Sequence, residues 1–250
     1  MIAYFSGTGN CKYVAERIAS HLNDTAVSIE TGIRYLPLKE NESFGIVTPT
    51  HWLQLPVPVR EFLEMTAFQM HGINYFFLVA TYGSSPGCIG EDARRILARK
   101  GIVLDAAFSI KMPDTWTPIF DLSNPLDVIN QNQEAEAVID QVISKIEKKE
   151  RGNQTDSRLP YSIRIFTDPF LNEERKTKHF HVDETCIGCG LCARKCPAKA
   201  IEIQNHKPVW AKDRCILCLR CLHHCPKFAI QYGNGKTLQH GQYHHPGTKV

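Results

Sequence analysis

The stretch Cys186-Ile187-Gly188-Cys189-Gly190-Leu191-Cys192-Ala193-Arg194-Lys195-Cys196-Pro197 returns 29 positions later as Cys215-Ile216-Leu217-Cys218-Leu219-Arg220-Cys221-Leu222-His223-His224-Cys225-Pro226. Each copy reads C-x2-C-x2-C-x3-C-P, and Ile201 likewise recurs as Ile230. Eight of the ten cysteines of the chain fall in this repeat, leaving Cys11 and Cys88 elsewhere. Repeat units this small cannot bury a core by themselves, so something other than hydrophobic burial must hold them together, and clustered cysteines make metal the first candidate.

The spacing resembles that of bacterial ferredoxins with two [4Fe–4S] clusters, in which the fourth cysteine of each run ligates the other cluster. The resemblance implies a small α+β ferredoxin-like domain over residues 181–234. One cluster would be held by Cys186, Cys189, Cys192 and Cys225, the other by Cys215, Cys218, Cys221 and Cys196. Structural zinc usually takes paired C-x2-C ligands across a longer spacer, and a reducing compartment disfavours disulfides, so both fit worse than iron–sulfur. Gly188 and Gly190 let the first loop approach its cluster closely; Leu217 and Leu219 stand in those places in the second and give more apolar cover.

The whole chain has 250 residues, 43% hydrophobic and 22% charged, the composition of a soluble globular protein with room for two domains. It has no apolar run long enough for a membrane span, and Met1 leads into Ile2-Ala3-Tyr4-Phe5 without a basic leader, which reads as cytoplasmic. Residues 1–150 carry 13 Lys and Arg against 18 Asp and Glu, residues 151–250 carry 16 against 8. No basic helix or finger accompanies the positive half, which argues against nucleic acid. Arg194, Lys195, Lys199, Lys212, Arg214 and Arg220 are instead expected to dock on the acidic first half or on an acidic redox partner.

Residues 1–150 alternate short apolar runs with helical patterns, the signature of a parallel sheet with crossover helices. Strands are expected at Met1–Phe5, Ala26–Ile29, Phe44–Thr48, Asn74–Thr81 and Val103–Lys111, the fourth central because it is the most continuously apolar. Helices are expected at Asn10–Leu22, Val57–Gln69, Cys88–Lys100 and from about Leu126 to Glu150. Residues 151–180 read as a linker that docks on a domain, and 235–250 as a solvated, His-bearing tail. His223 and His224 read as surface or hydrogen-bonding residues, not ligands.

After the first strand comes Ser6-Gly7-Thr8-Gly9-Asn10-Cys11 and then a helix. This is neither a Walker loop nor G-x-G-x-x-G, because Lys12 stands where the latter needs its third glycine. A glycine- and hydroxyl-rich turn at a helix N-terminus can hold a phosphate monoester, and this one resembles the FMN phosphate loop of flavodoxins. That resemblance implies a doubly wound five-stranded sheet of order 2-1-3-4-5. Isoalloxazine loops would then follow strands three and four, at Pro49-Thr50-His51-Trp52 and Thr81-Tyr82-Gly83-Ser84-Ser85-Pro86-Gly87-Cys88, with cofactor contacts at Thr81, Tyr82 and Gly83 of the latter and His51, Trp52 and Tyr82 as aromatic candidates, Trp52 first for stacking. Cys11 replaces the usual hydroxyl residue, and Leu53 stands where many flavodoxins have a flipping glycine. Trp116, in the extra segment after strand five, could cover the flavin or a partner site.

Taken together the chain resembles fused flavodoxin–ferredoxin proteins of anaerobes. The resemblance implies an intracellular electron-transfer protein that passes electrons between two [4Fe–4S] clusters and FMN and exchanges them with a redox protein. The alternative is an FMN-dependent reductase of a quinone, nitro compound or metal complex, fed by its own ferredoxin domain.

Overall fold

The computed structural model describes residues 1–32, 35–36, 42–68, 73–157 and 159–249. Its main sheet is built from β1 (Ile2–Tyr4), β2 (Ala26–Ser28), β3 (Glu42–Pro49), β4 (Ile73–Tyr82), β5 (Ala106–Lys111) and β6 (Gly152–Gln154), all paired in parallel in the order β2-β1-β3-β4-β5-β6. Helices α1 (Asn10–His21) and α4 (Pro125–Glu147) cover one face; α2 (Val57–Met65) and α3 (Ile89–Ala98) cover the other.

Strand β4 explains the two layers. Tyr75, Phe77 and Val79 point into the core under α1 and α4, while Phe76, Leu78 and Ala80 alternate into the core under α2 and α3. A strand covered on both faces must be apolar at every position, and all six residues are buried. Helix α2 stops at Met65, short of the expected Gln69, which lies outside the described residues. Thr66 is already extended, and the Lys100 ammonium donates to the carbonyls of Leu63 (2.9 Å), Glu64 (3.1 Å) and Thr66 (2.6 Å), satisfying the last turn.

Two expectations are corrected. The sheet has a sixth strand, β6, inside the stretch read as a linker; Gly-Asn-Gln carries no apolar signal because this edge strand is short and mostly exposed. The stretch continues into α5 (Arg164–Glu174), where Arg164 reaches buried Asp92 (3.2 Å), itself paired with Arg60 (2.7 Å). Thr167 accepts from the Gln54 amide (3.2 Å), and Phe170 stacks on Trp52 (5.8 Å, 8°). Leu171, on the same helix, enters the core of the C-terminal unit. That unit pairs β7 (Phe180–Val182) with β10 (Ile230–Tyr232) and β8 (Ile201–Gln204) with β9 (Lys207–Trp210), with one-turn helices α6 (Leu191–Arg194) and α7 (Arg220–His223) between.

The second correction is the tail, which is a strap instead of a solvated end. After α8 (Lys236–His240) the Gln242 amide donates to the carbonyls of Leu222 (2.7 Å) and Cys225 (2.9 Å). Buried Tyr243 lies 2.7 Å from Asn10 Oδ1 and 3.0 Å from Asn132 Oδ1. His245 stacks on Tyr13 (4.0 Å), and its backbone N–H donates to Thr8 O (2.9 Å). The strap also buries His223 completely, its Nδ1 accepting from Tyr243 N–H (3.2 Å). Among the described residues no helix is long and apolar enough to cross a membrane.

Burial holds the His245 imidazole down to about 4, from an ordinary 6.5. The undocked tail therefore takes up a proton first: docking is fully favoured above pH 6.5 and weakens as pH falls through 6.5 toward 4. Hydrogen-exchange protection at the His245 and Thr248 amides, corrected for intrinsic rates, should drop at least about 30-fold between pH 7.5 and pH 5, and His245→Phe should make that dependence shallower, the part that remains coming from His223 beneath the strap, which burial also holds down to about 4.

Candidate functional site

The chain steps outward from β1 to β2 and then back across β1 to β3, so the loops after β1 and β3 diverge and leave a crevice at the carboxyl ends of the strands. A cavity of about 330 Å³ fills that crevice. Ser6, Gly7, Thr8, Asn10 and Cys11 line it from the first loop, Pro49, Thr50, His51 and Trp52 from the second, Thr81, Tyr82 and Gly83 from the third. Of the thirteen residues read as cofactor contacts only Gly9 is outside the lining; it caps α1 at φ 111°, where a Cβ would strike His245.

Local geometry fixes these loops. The Ser6 hydroxyl accepts from Gly9 N–H (3.1 Å), and α1 has no side-chain cap, leaving its first amides to face the cavity end. Trp52 and Leu53 take φ of 48° and 64° in a tight turn closed by reciprocal His51–Gln54 backbone bonds. Two consecutive left-handed residues without a glycine are strained. The Leu53 carbonyl is held by Cys88 N–H (2.8 Å), and Gly87 leaves it space, since a Cβ there would lie 2.1 Å from that oxygen. Tyr82 turns its hydroxyl out to Asp156 (2.6 Å). Burial holds His51 down to about 4 and pushes the Cys11 thiol up to about 12, so the cavity wall carries a neutral imidazole and a protonated thiol.

Three further groups of residues line the cavity; the sequence points to the first two and not to the third. Ser84 and Ser85, within the expected third loop, extend its lining. Pro113, Asp114, Thr115, Trp116, Ile119 and Phe120, from the segment whose Trp116 is expected to cover the flavin or a partner site, form a fourth wall after β5. Asp114 presses against Gly83, where a Cβ would lie 2.1 Å from its own, and burial raises its carboxyl above the ordinary value. The third group is Leu217, Cys218 and Leu219 of the second cysteine run. A Cβ on Gly7 would lie 2.5 Å from the Cys218 carbonyl oxygen, so the absence of a side chain at Gly7 lets the two loops touch. The repeated glycine pattern gave no hint of this, because the close approach is to a segment more than 200 residues away.

The eight cysteines of the repeat form two quartets, each around its own hollow. Cys186, Cys189, Cys192 and Cys225 line one; Cys196, Cys215, Cys218 and Cys221 line the other. Among the described residues no three His, Cys, Asp or Glu side chains converge as ligands of a single ion. Backbone N–H groups donate to sulfur at Cys196 (from Ala200), Cys215 (from Leu217) and Cys225 (from Ala229), each at 3.3 Å, the outer contacts that stabilise thiolate ligands. Burial pushes the Cys218 thiol up to about 12 and Cys221 well above its ordinary value, so without a cation these sulfurs stay protonated.

The repeat is also visible in the backbone. Gly188 and Gly190 adopt φ of 68° and 71°; their counterparts Leu217 and Leu219 adopt 57° and 51°. Lys199 and Phe228, again 29 apart, share 45° and 49°. Leucine in the left-handed region costs about 1–2 kcal/mol each, offset here by near-complete burial of both side chains between the second quartet and the cavity.

One side chain ties the two sites together. Arg220, between Cys218 and Cys221, is 7% exposed. Its guanidinium donates to the Ser6 carbonyl (2.6 Å), to both oxygens of Glu30, and to the Lys195 carbonyl (3.1 Å). Among the basic residues expected to dock, Arg220 forms an ion pair with Glu30 of the first half of the chain.

Residues 178–235 match the family model of the 4Fe–4S dicluster domain. No curated protein matches the sequence. The C-terminal part is thus a ferredoxin-like iron–sulfur domain with an electron-transfer role, holding at least one 4Fe–4S cluster.

Arg220→Ala should cost about 3–5 kcal/mol, because it strands the Ser6 carbonyl and the Glu30 carboxylate. Arg220→Lys should recover little of it, an ammonium being unable to span Glu30 and Ser6 together. Anaerobic urea unfolding of the intact protein measures both.

Proposed function

We propose that this protein is an electron carrier in which two [4Fe–4S] clusters and one FMN form a short wire within one polypeptide. Residues 1–150 would be a flavodoxin-like domain, 151–180 a docked connector, 181–234 the two-cluster domain and 235–250 a strap across both. The observation that carries the reading is the shared wall: the cavity among the three sheet-edge loops is closed by Leu217, Cys218 and Leu219.

The strand order supports the flavin, since 2-1-3-4-5 is the flavodoxin arrangement and its FMN lies at the β1/β3 switch point, where this cavity opens. The extra edge strand β6 lies at the far side of the sheet and leaves that crevice unchanged. Polar groups in the wall also fit a bound heterocycle: Thr50 Oγ1 and Trp116 Nε1 are buried without a hydrogen-bond partner. Buried donors of this kind are costly unless something accepts from them. Ser6, Thr8 and the free amides of α1 would hold the phosphate, Thr50, Trp52 and Trp116 would flank the ring, and Leu217 and Leu219 would keep water from the gap. Cysteines 186, 189, 192 and 225 would hold the first cluster, and 215, 218, 221 and 196 the second. When bound, FMN supplies exchange of one or two electrons and each cluster exchange of one.

The test is anaerobic reconstitution with iron and sulfide followed by flavin titration. The expected outcome is two clusters' worth of iron and about one FMN per chain, with FMN bound far more tightly than riboflavin. Thr8→Asp, which sets a carboxylate against the phosphate, should weaken FMN about 100-fold and riboflavin less than about threefold. A protein that takes up clusters but no flavin would overturn the flavin assignment.

A further inference from the structure

We propose that the face around Cys189 is the docking surface for a small acidic one-electron carrier protein, and thus the outer end of the wire; this rests on the two-cluster reading above. The two cysteine quartets differ in what covers them. At the second, Cys215, Leu217, Leu219 and Arg220 are all buried, under the cavity and the Ser6–Glu30 contact. At the first, Cys189 is exposed and Ile187 is 61% exposed, with Ile203 (40%) beside the same hollow. Electrons must cross a short gap, so a carrier from solution approaches the quartet that exposes Cys189, and the quartet that shares Leu217, Cys218 and Leu219 with the cavity serves the cavity.

The chemistry of that face defines its partner. Residues 178–235 carry nine Lys and Arg against four Asp and Glu, and the charge of Arg220 is spent on Glu30 of the first half of the chain. Around the first quartet stand Arg194, Lys207 and Lys227, all exposed. Arg194 donates to the Cys189 carbonyl (2.8 Å) and Lys207 to the Asp183 carbonyl (3.5 Å). None of the three has a carboxylate partner among the described residues. The Asp183 carboxylate is turned to Thr185, while Glu184 and Glu202 are exposed acids of the same face. A small apolar centre with unpaired cations around it suits a transient redox encounter, where the buried area is small and charge steers the approach. Each encounter moves one electron: the carrier is oxidised by one, the cluster held by Cys186, Cys189, Cys192 and Cys225 is reduced by one, and no bond or proton is exchanged.

The test mixes the anaerobic, cluster-loaded protein with a reduced plant-type [2Fe–2S] ferredoxin as the acidic carrier, and follows cluster bleaching by stopped flow. Lys207→Glu with Lys227→Glu should slow the bimolecular step at least about tenfold at low ionic strength and abolish its salt dependence. Lys148→Glu, on α4's end, should change it less than about twofold. Carbodiimide crosslinking, which joins lysine amines to carboxylates whatever the driving force, should map to Lys207 and Lys227. Equal rates in both variants, or crosslinks that fall on Lys148 and Lys149, on a second copy of this chain, or nowhere, would overturn the docking surface. A protein that lacks flavin or the second cluster overturns the proposed function instead, and leaves the crosslinking map readable.

Discussion

Everything distinctive in this molecule hangs on the buried guanidinium of Arg220. It sits between two cysteines of the second run and faces Glu30 and the Ser6 carbonyl of the first glycine loop. A buried charge is tolerated only when it is hydrogen-bonded and an opposite charge is close; both terminal nitrogens of this guanidinium are so met, and its Nε is buried without a hydrogen-bond partner. That requirement fixes the C-terminal unit against the sheet edge in one register, and it makes Gly7 necessary, because the Cys218 carbonyl then arrives where a Cβ would stand. Glycine in this loop therefore answers to two demands at once, an amide-lined turn and a close backbone approach.

The same constraint accounts for the asymmetry of the repeat. Both runs trace one backbone, with left-handed residues at matching positions. In the first run glycine takes those positions without strain and leaves the loop thin and exposed. In the second, leucine takes them with strain, and its side chains fill the space between the quartet and the cavity. One quartet is thereby set against the cavity, with Cys215 buried and its other cysteines half-buried, while its twin leaves Cys189 exposed, an arrangement that a freely tethered pair of domains would not require.

Much of this was legible in the sequence. The central strand was visible as an unbroken apolar run, since alternate residues of β4 feed two different cores. The cysteine quartets and the three sheet-edge loops were visible because backbone chemistry dictates residue type at close spacing. What stayed hidden depends on partners far away in the chain. Strand β6 has no apolar signal, being held by backbone bonds at an edge. Tyr243 and His245 read as tail residues, and only the docked structure gives them Asn10, Asn132 and Tyr13. Arg220 looked like any of six basic residues, and nothing local marks it as the one that is buried. Trp52 is marked in the sequence by its aromatic ring alone; its place in the cavity wall is shared with a stack on Phe170 of α5.

The most direct test of the shared wall is flash photolysis of the reconstituted, anaerobic protein, with transfer between the proposed flavin and the proposed clusters followed after one-electron injection. A rate independent of protein concentration and nearly insensitive to salt is expected, since the two sites are held together by a buried contact that ions do not screen. A rate that scales with protein concentration would mean electrons pass between molecules, and would contradict a wire closed within one chain.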